Sequence, residues 1–278
     1  MTASASVLAQ AREGAVRHTG VIQAAVKGEL AYRFEFITGI VGTLLTTVML
    51  YYLWTAIYRS SLSMEMAYTD LITYVVLGQA FSFARPGQRR MMMRIASGIR
   101  NGNVALDLLR PTDFQLLRLS ETFGSFLMET AFVSLPAYAL ALLVFGINPP
   151  ASAEAALGFA VSLLAAFLLA FSLDFVIGVL AFWTFSVWGL GYAKIALIDI
   201  LAGTLIPLSL FPDWLQRVAL ALPFQGIAYT PLSIYVGTLT GPAIWSAIGV
   251  QLAWAIGLAL LTRLLWLKAR RRLIVQGG

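Results

Sequence analysis

Four ionisable side chains lie inside long apolar stretches of this sequence, where they could carry protons or ions. They are Glu129, Asp174, Lys194 and Asp199. An ionisable group is costly in lipid unless it faces protein or water, and such residues often form ion pathways, gates or internal pairs. Asp174 and Lys194 have opposite charges, so a pair between neighbouring helices would neutralise both. We favour structural pairing, and a polar lining or gate is the alternative.

The composition excludes most enzymatic chemistry. The chain has no Cys and a single His, His18, which rules out disulfides, thiol nucleophiles and the usual zinc ligand sets. His18 lies in a polar N-terminal segment far from any candidate pocket. Neither GxxxxGK[ST] nor GxGxxG after a strand occurs. We therefore expect no catalytic residue, no metal site and no nucleotide site on this chain, and it is not expected to be an enzyme.

The elements that must position these groups are apolar helices. Hydrophobic residues make up 59% of the 278 positions, charged residues only 12%, and the mean hydropathy is +0.82. Soluble domains carry about 25% charged residues. Continuous apolar runs of roughly 20 residues fit helices that cross the hydrocarbon core and satisfy their own backbone hydrogen bonds. The sequence predicts an all-α polytopic membrane protein.

The apolar runs predict six transmembrane helices. Their expected ranges are Phe34–Tyr58, Tyr68–Met91, Leu117–Phe145, Ala153–Trp183, Gly191–Leu210 and Ala243–Leu267.

The distribution of basic residues predicts the orientation. If both termini are cytoplasmic, 17 of the 19 Lys and Arg residues lie on the inner side, and only Arg59 and Arg217 lie outside. This asymmetry follows the positive-inside rule. The net charge of +6 therefore reflects topology and anionic lipid, and we expect no nucleic-acid partner.

The N-terminal segment lacks the pattern of a signal peptide, because its first apolar run begins after about thirty residues and is long enough to span. The stretch Ala15–Arg33 places Val16, Ile22, Val26 and Leu30 among charged residues. We interpret it as an amphipathic helix on the inner surface. A merely solvated leader is the alternative.

A short polar block, GIRNGNVALDLLRP, lies on the inner side between the second and third expected spans. Asn103 can cap a helix that Pro111 ends, and Gly98 and Gly102 allow sharp turns. We expect Val104, Ala105, Leu108 and Leu109 on one apolar face, with Asp107 and Arg110 on the other. Such a helix could fill a groove on a partner or rest on lipid headgroups. The residues alone leave both readings open.

A second unusual block, Leu205–Gly237, is expected on the outer side. Prolines at 207, 212, 223 and 231 divide it into pieces too short to span. We expect a helix from Pro212 to Pro223 with Trp214 on its apolar face. The block is either a helix–turn–helix that dips into the outer leaflet or an extracellular cap, and both would help close a pathway from outside.

With these blocks placed, the chain resembles permease subunits of ABC-2 type exporters, and in particular a bacterial subfamily with RNGxVxxDLLRP and LIPLSLFPDWLQ…LPFQ blocks. Here the blocks are RNGNVALDLLRP at Arg100–Pro111 and LIPLSLFPDWLQRVALALPFQ within Leu205–Gly237. AYRFEF at Ala31–Phe36 also fits the beginning of the family's first span. The resemblance covers nearly the whole chain.

The resemblance implies roles for particular residues. The coupling helix that docks on an ATPase would comprise Arg100, Asn101, Gly102, Asn103, Val104, Asp107, Leu108, Leu109 and Arg110. The outer re-entrant gate would include Pro207, Phe211, Pro212, Trp214 and Pro223. Residues Arg17–Tyr32 would lie in the connecting helix on the inner surface.

The resemblance also implies an organisation. We expect a cytoplasmic connecting segment at 1–33, a six-helix transmembrane domain at 34–268 with a coupling helix near 100–110 and an outer hairpin near 207–236, and a basic tail at 269–278. Two ABC ATPase chains, which bind ATP and Mg, would join two permeases in the bacterial plasma membrane. The second permease would be a different chain or a second copy of this one.

The expected function is ATP-driven export of a hydrophobic or amphipathic substrate. A stand-alone secondary transporter using an intramembrane carboxylate is the alternative, and a structural subunit without transport is a third hypothesis.

Overall fold

The computed structural model of the chain describes residues 16–29, 33–60, 66–81, 84–109, 112–184 and 186–272. These residues form helices and turns with no β-strand among them, which confirms the predicted all-α class. The α-helices are α1 (16–29), α2 (Arg33–Arg59), α3 (Tyr68–Phe81), α4 (Ala84–Arg100), α5 (Val104–Leu108), α6 (Phe114–Glu129), α7 (Leu135–Phe145), α8 (Ala153–Leu180), α9 (Trp188–Leu201), α10 (Asp213–Ala221), α11 (Tyr229–Tyr235) and α12 (Pro242–Ala269).

Four helical stretches in the described part of the chain are long and apolar enough to cross a membrane. They are Phe36–Arg59, Phe114–Phe145, Ala153–Leu180 and Pro242–Ala269. They coincide with the first, third, fourth and sixth expected spans.

The second and fifth expected spans have different bounds in the structure. In place of one helix over Tyr68–Met91, α3 ends at Phe81 and the arginine-rich α4 begins at Ala84. In place of Gly191–Leu210, α9 ends at Leu201, and Gly203 then turns the chain with a φ of +73°. Each of α3 and α9 has 14 residues and measures roughly 21 Å, which is less than the roughly 30 Å hydrocarbon core. The count of six spans therefore stays a prediction.

Helix α8 lies at the centre of the bundle and α2 at its periphery. The most apolar stretch of α8 is buried over 61% of its length, against 17% for α2. Two glycines allow neighbouring helices to approach α8 closely. A Cβ at Gly158 would lie 2.6 Å from Ile244 Cγ2 of α12, and one at Gly178 would lie 3.0 Å from Ile95 Cβ of α4. Small residues at such crossings are typical of helix packing in membranes.

The third span contains a π-helical segment, Thr130–Ser134, between α6 and α7. Pro136 follows it in the first turn of α7. Because proline has no backbone N–H, it cannot donate to the carbonyl four residues earlier, and its ring clashes there. The wider turn accommodates this residue, so the span remains continuous.

A buried amide links three elements of the bundle. Gln251 of α12 donates through Nε2 to the carbonyl oxygens of Gly226 at 2.6 Å and Ser162 at 3.3 Å. Its Oε1 accepts from Ser162 Oγ of α8 at 2.8 Å. Gln251 and Ser162 are fully buried. The network therefore fixes the segment at Gly226, part of the outer block, against α8 and α12.

We expect Gln251→Leu to destabilise the chain by about 1–3 kcal/mol, because it leaves buried polar partners unsatisfied. Thermal unfolding of the purified chain in detergent would measure the loss. Val250→Ala is the matched control, since Val250 is the adjacent residue of α12 and is exposed at the helix surface. Equal unfolding temperatures for Gln251→Leu and the natural chain would contradict a structural role for this network.

Candidate functional site

The inner block forms the five-residue helix α5 between α4 and α6. Gly102 turns the chain before it with a φ of +74°, a conformation that favours glycine. Asn103 occupies the N-cap position, but its side chain makes no cap hydrogen bond, so the predicted side-chain cap is wrong. The next helix has one instead, because Asp113 Oδ1 accepts from the Leu116 N–H at 3.1 Å. Arg110 and Pro111 lie outside the described residues.

The orientation of α5 differs from the predicted apolar face. Val104 is buried against the bundle, where its Cγ2 would lie 3.3 Å from a Cβ at Gly98. Leu106, Leu108 and Leu109 are 64%, 42% and 81% exposed. Val104 is therefore buried and the three leucines are exposed, so Val104, Leu108 and Leu109 do not form one buried apolar face.

A buried arginine holds α5 against the bundle. The Asp107 carboxylate accepts from the Arg118 guanidinium of α6, and Arg118 is only 5% exposed. Arg118 also donates to Glu121 at 2.7 Å and lies 4.9 Å over the Phe114 ring. Glu121 accepts in turn from Arg94 of α4 at 3.3 Å. This Arg118 cluster (Asp107, Arg118, Glu121 and Arg94) joins α5, α6 and α4.

Sequence reasoning did not identify Arg118 as a partner of Asp107. It paired Asp107 with Arg110, which is three residues away, because local spacing is all that a sequence shows. The one available signal was an arginine followed three residues later by a glutamate, Glu121, near the beginning of an apolar run.

The first described helix lies along α6. A Cβ at Gly124 would come within 2.9 Å of the Ile22 carbonyl oxygen and 2.8 Å of Ala25 Cβ, so only a glycine allows this approach. His18 Nδ1 and Ser120 Oγ are 2.8 Å apart, with the direction of the hydrogen bond set by the tautomer. Residues 16–29 thus form the helix expected within Ala15–Arg33. Residues 15 and 30–32 lie outside the described ones, and Arg33 begins α2.

The predicted polar residue Glu129 belongs to a second ionic cluster. Arg90 of α4 donates to Glu129 Oε1 at 2.8 Å and to Glu29 Oε2 at 3.1 Å. Glu29 Oε1 accepts from Ser125 Oγ at 2.8 Å. Glu129 is buried. The Arg90 cluster (Arg90, Glu29, Glu129 and Ser125) therefore joins α1, α4 and α6 next to the π-helical segment.

Asp174 and Lys194 form an ion pair between α8 and α9. Lys194 Nζ donates to Asp174 Oδ1 at 2.7 Å, and the two side chains are 10% and 0% exposed. The pairing favoured from the sequence is present. Asp199 is half-buried on the same helix. A role for any of these residues in transport stays a prediction.

The outer block consists of short pieces. A 3₁₀ turn at Leu208–Leu210, α10, a second 3₁₀ segment at Pro223–Ile227 and α11 follow one another. Pro212 directly precedes α10, and Pro223 follows its end. Two bonds attach the beginning of the block to neighbouring helices: Tyr74 Oη donates to the Gly203 carbonyl at 2.8 Å, and Trp54 Nε1 to that of Leu205 at 3.2 Å.

The residues assigned to the outer gate separate into two groups. Pro207 and Pro223 are buried and Phe211 is half-buried, whereas Pro212 and Trp214 are exposed. Trp214 is 64% exposed and Val218 47% exposed on α10, while Ala219 is fully buried. Trp214 and Val218 therefore lie on the exposed surface of α10, and Ala219 lies against the bundle.

We expect Lys194→Met to destabilise the chain by about 3–5 kcal/mol, because it leaves a buried carboxylate without its cation. The double variant Asp174→Asn/Lys194→Met should be closer to the natural chain, since it removes both charges. Thermal unfolding in detergent would measure both, with Lys268→Met, at an exposed lysine, as the control. Equal losses in the single and double variants would exclude a coupled pair.

The comparisons with known proteins are consistent with this architecture. No curated protein matches the chain. The chain matches the family described as ABC-2 family transporter protein over residues 44–277, which include α3 to α12 and most of α2. The matched range contains both unusual blocks, the inner helix α5 and the outer pieces from Leu208 to Tyr235. The chain belongs to the ABC-2 transporter family and is a multi-pass membrane subunit of an ABC transporter.

Proposed function

We propose that this chain is the permease subunit of an ATP-driven exporter in the bacterial plasma membrane, and that α5 docks in a groove of a separate ABC ATPase. The observation that carries the proposal is the exposed apolar surface of α5 and its C-cap, which consists of Leu106, Leu108 and Leu109. Two ATPase chains, which bind ATP and Mg, would join two permeases, so this chain needs no nucleotide site of its own.

The exposed leucines fit a protein partner better than a lipid surface. By the positive-inside rule, the arginines around α5 support a cytosolic position for this helix. An amphipathic helix binds a membrane through a large apolar face. In contrast, α5 and its C-cap residue Leu109 expose only three leucines. A short helix fixed at both flanks can instead insert apolar side chains into a groove.

The contacts behind α5 provide a route for motion. ATP binding would close the ATPase pair, and a docked helix would move with it, so that nucleotide state biases the arrangement of the spans. The Arg118 cluster connects α5 to α4 and α6. The Arg90 cluster connects α4 and α6 to α1. The connection between α4 and α5 would comprise Arg100, Asn101, Gly102, Asn103 and Val104. Through it, α5 would move as one body with the end of α4.

The outer block would act as the gate of this exporter. Its short helices, bounded by Pro207, Pro212 and Pro223, are attached to α2 and α3 through Trp54 and Tyr74, and to the central spans through Gln251. Movement of the spans would therefore move the block. The apolar character of the bundle favours a hydrophobic or amphipathic cargo, and the direction of transport follows the family resemblance.

A stand-alone carrier has less support. It would need an intramembrane carboxylate that exchanges protons or ions, whereas Glu129 is paired with Arg90 and Asp174 with Lys194. Flux driven by a pH gradient in liposomes that contain only this chain would favour the carrier over the exporter.

We expect Leu106→Asp/Leu109→Asp to abolish association with the ATPase without unfolding the permease, because both side chains are exposed and each would place a carboxylate in an apolar groove. Stoichiometric co-purification of the ATPase in mild detergent, identified by mass, is the measurement. Leu106→Met/Leu109→Met is the matched control, since it keeps the apolar contact. If the aspartate variant still binds the ATPase, α5 is not the docking element; if the natural chain binds none, the proposed function fails.

We expect Asp107→Asn to weaken ATPase binding about tenfold, which corresponds to about 1.4 kcal/mol. The substitution removes the charge-assisted bond that holds α5 to Arg118 and leaves the exposed leucines unchanged. Titration of the purified ATPase against the reconstituted permease would give the affinity. Asp213→Asn, which neutralises an exposed carboxylate on the outer side, is the control. Unchanged affinity in Asp107→Asn would show that the Arg118 bond does not position α5.

A further inference from the structure

A lateral cleft of about 520 Å³ lies between α6, α8 and α12. Its volume is within the range of about 300–1,000 Å³ of ligand sites. Buried residues of α8 and α12, Phe171, Ser172 and Ala255, form its floor. Exposed residues, Leu116, Ile256 and Leu260, form its rim. The cleft is thus an apolar groove that opens at the side of the helix bundle.

Apart from Ser172, whose hydroxyl donates to the Leu168 carbonyl at 2.9 Å, the polar residues of the lining lie at the end of the cleft that is expected to be cytoplasmic. There the Arg263 guanidinium of α12 donates to the Asp113 carboxylate at the beginning of α6. Gln115, also in the lining, donates through Nε2 to the Ala259 carbonyl at 3.3 Å and to Thr262 Oγ1 at 2.7 Å. Phe114 stacks on Trp266 at 4.2 Å just below. These contacts close the inner end of the groove.

The length of the cleft matches one leaflet. Its lining on α12 runs from Leu252 to Arg263, which at 1.5 Å per residue is roughly 16 Å. The hydrocarbon core is about 30 Å thick, so one leaflet is about half of that. An acyl chain that lies along the groove would place its headgroup beside Arg263.

The charges around the inner end favour an anionic headgroup. Arg263 has five N–H donors, and its side chain is 42% exposed. Its carboxylate partner is Asp113. Lys268, Arg270 and Arg271 follow on the same end of α12. Basic pockets between transmembrane helices on the cytoplasmic side bind anionic lipid headgroups.

From this geometry we infer that the cleft is a binding site for an anionic glycerophospholipid of the inner leaflet, with an acyl chain between α6, α8 and α12 and its phosphate on Arg263. Asp113 competes with the phosphate for the guanidinium. The site rests on the predicted orientation of the chain and is independent of ATPase docking.

The test measures lipid retained by the full-length chain. The chain is reconstituted in vesicles of equimolar phosphatidylcholine and phosphatidylglycerol and extracted in mild detergent, and bound lipids are counted by native mass spectrometry. We expect the natural chain to retain phosphatidylglycerol in excess. Arg263→Gln should lower that excess about fivefold, which corresponds to about 1 kcal/mol for one basic side chain at an anionic surface.

Asp113→Asn should act in the opposite direction. Asparagine caps a helix as well as aspartate does, so α6 keeps its first turn while Arg263 loses its competing carboxylate. We expect the excess of phosphatidylglycerol to rise about two- to fivefold, the range of an exposed ion pair. A merely structural ion pair would instead give losses of the same sign in both variants, and that result would overturn the inference.

Two further variants test the groove and the specificity of Arg263. Ala259→Phe would fill the cleft and should lower retention of both lipids, with Leu264→Phe, at an exposed residue outside the lining, as its control. If Ala259→Phe does not fold, Leu260→Trp at the rim replaces it. Lys27→Gln, at an exposed lysine of α1 outside the lining, should leave the excess within about twofold of the natural chain. A loss equal to that of Arg263→Gln would show diffuse surface attraction and no site, as would unchanged retention in the filled cleft.

Discussion

The arrangement of α4, α5 and α6 in this permease depends on the ion pairs of the buried Arg118 guanidinium. A charge that is only 5% exposed requires counter-charges, since an unpaired buried ion costs several kcal/mol. Asp107 and Glu121 supply them. Because Asp107 belongs to α5 and Arg118 to α6, the ion pair that neutralises Arg118 also fixes the position of α5. The orientation of α5, with Val104 inward and three leucines outward, follows from that constraint.

The same principle operates inside the bundle, where hydrophobic burial cannot distinguish protein from lipid. Apolar helices gain little from exchanging lipid contacts for one another, so close packing and polar bonds specify their arrangement. Gly158 and Gly178 set the distance between α8 and its neighbours. Gln251 and the Asp174–Lys194 pair set the register. The central position of α8 thus depends on a few residues within a largely uniform apolar sequence.

Sequence reasoning predicted the features that arise from bulk hydropathy. The all-α class and four long helices, such as Ala153–Leu180, follow from continuous apolar runs, and Asp174 with Lys194 could be paired because each is costly alone. The predictions from sequence were wrong where tertiary contacts override the local pattern of residues. Asn103 has the residue type of a cap but makes no cap bond, and α9 ends at Leu201 although apolar residues continue. No local rule could have brought Asp107 to Arg118, eleven residues and one helix away.

The two faces of α5 allow binding and transmission to be separated physically. The outward leucines contribute no described contact to the bundle's cores, whereas Val104 belongs to the inner core with Phe114, Phe175 and Trp266. A change on the outward face would alter affinity for a partner while leaving the helix in place. A change at Asp107 would keep the apolar surface and loosen its support. A helix of five residues has too few internal hydrogen bonds to be stable alone, so its position depends on Val104, packed beside Gly98 of α4, and on Asp107, bound to Arg118 of α6. A force on its leucines would therefore reach both α4 and α6.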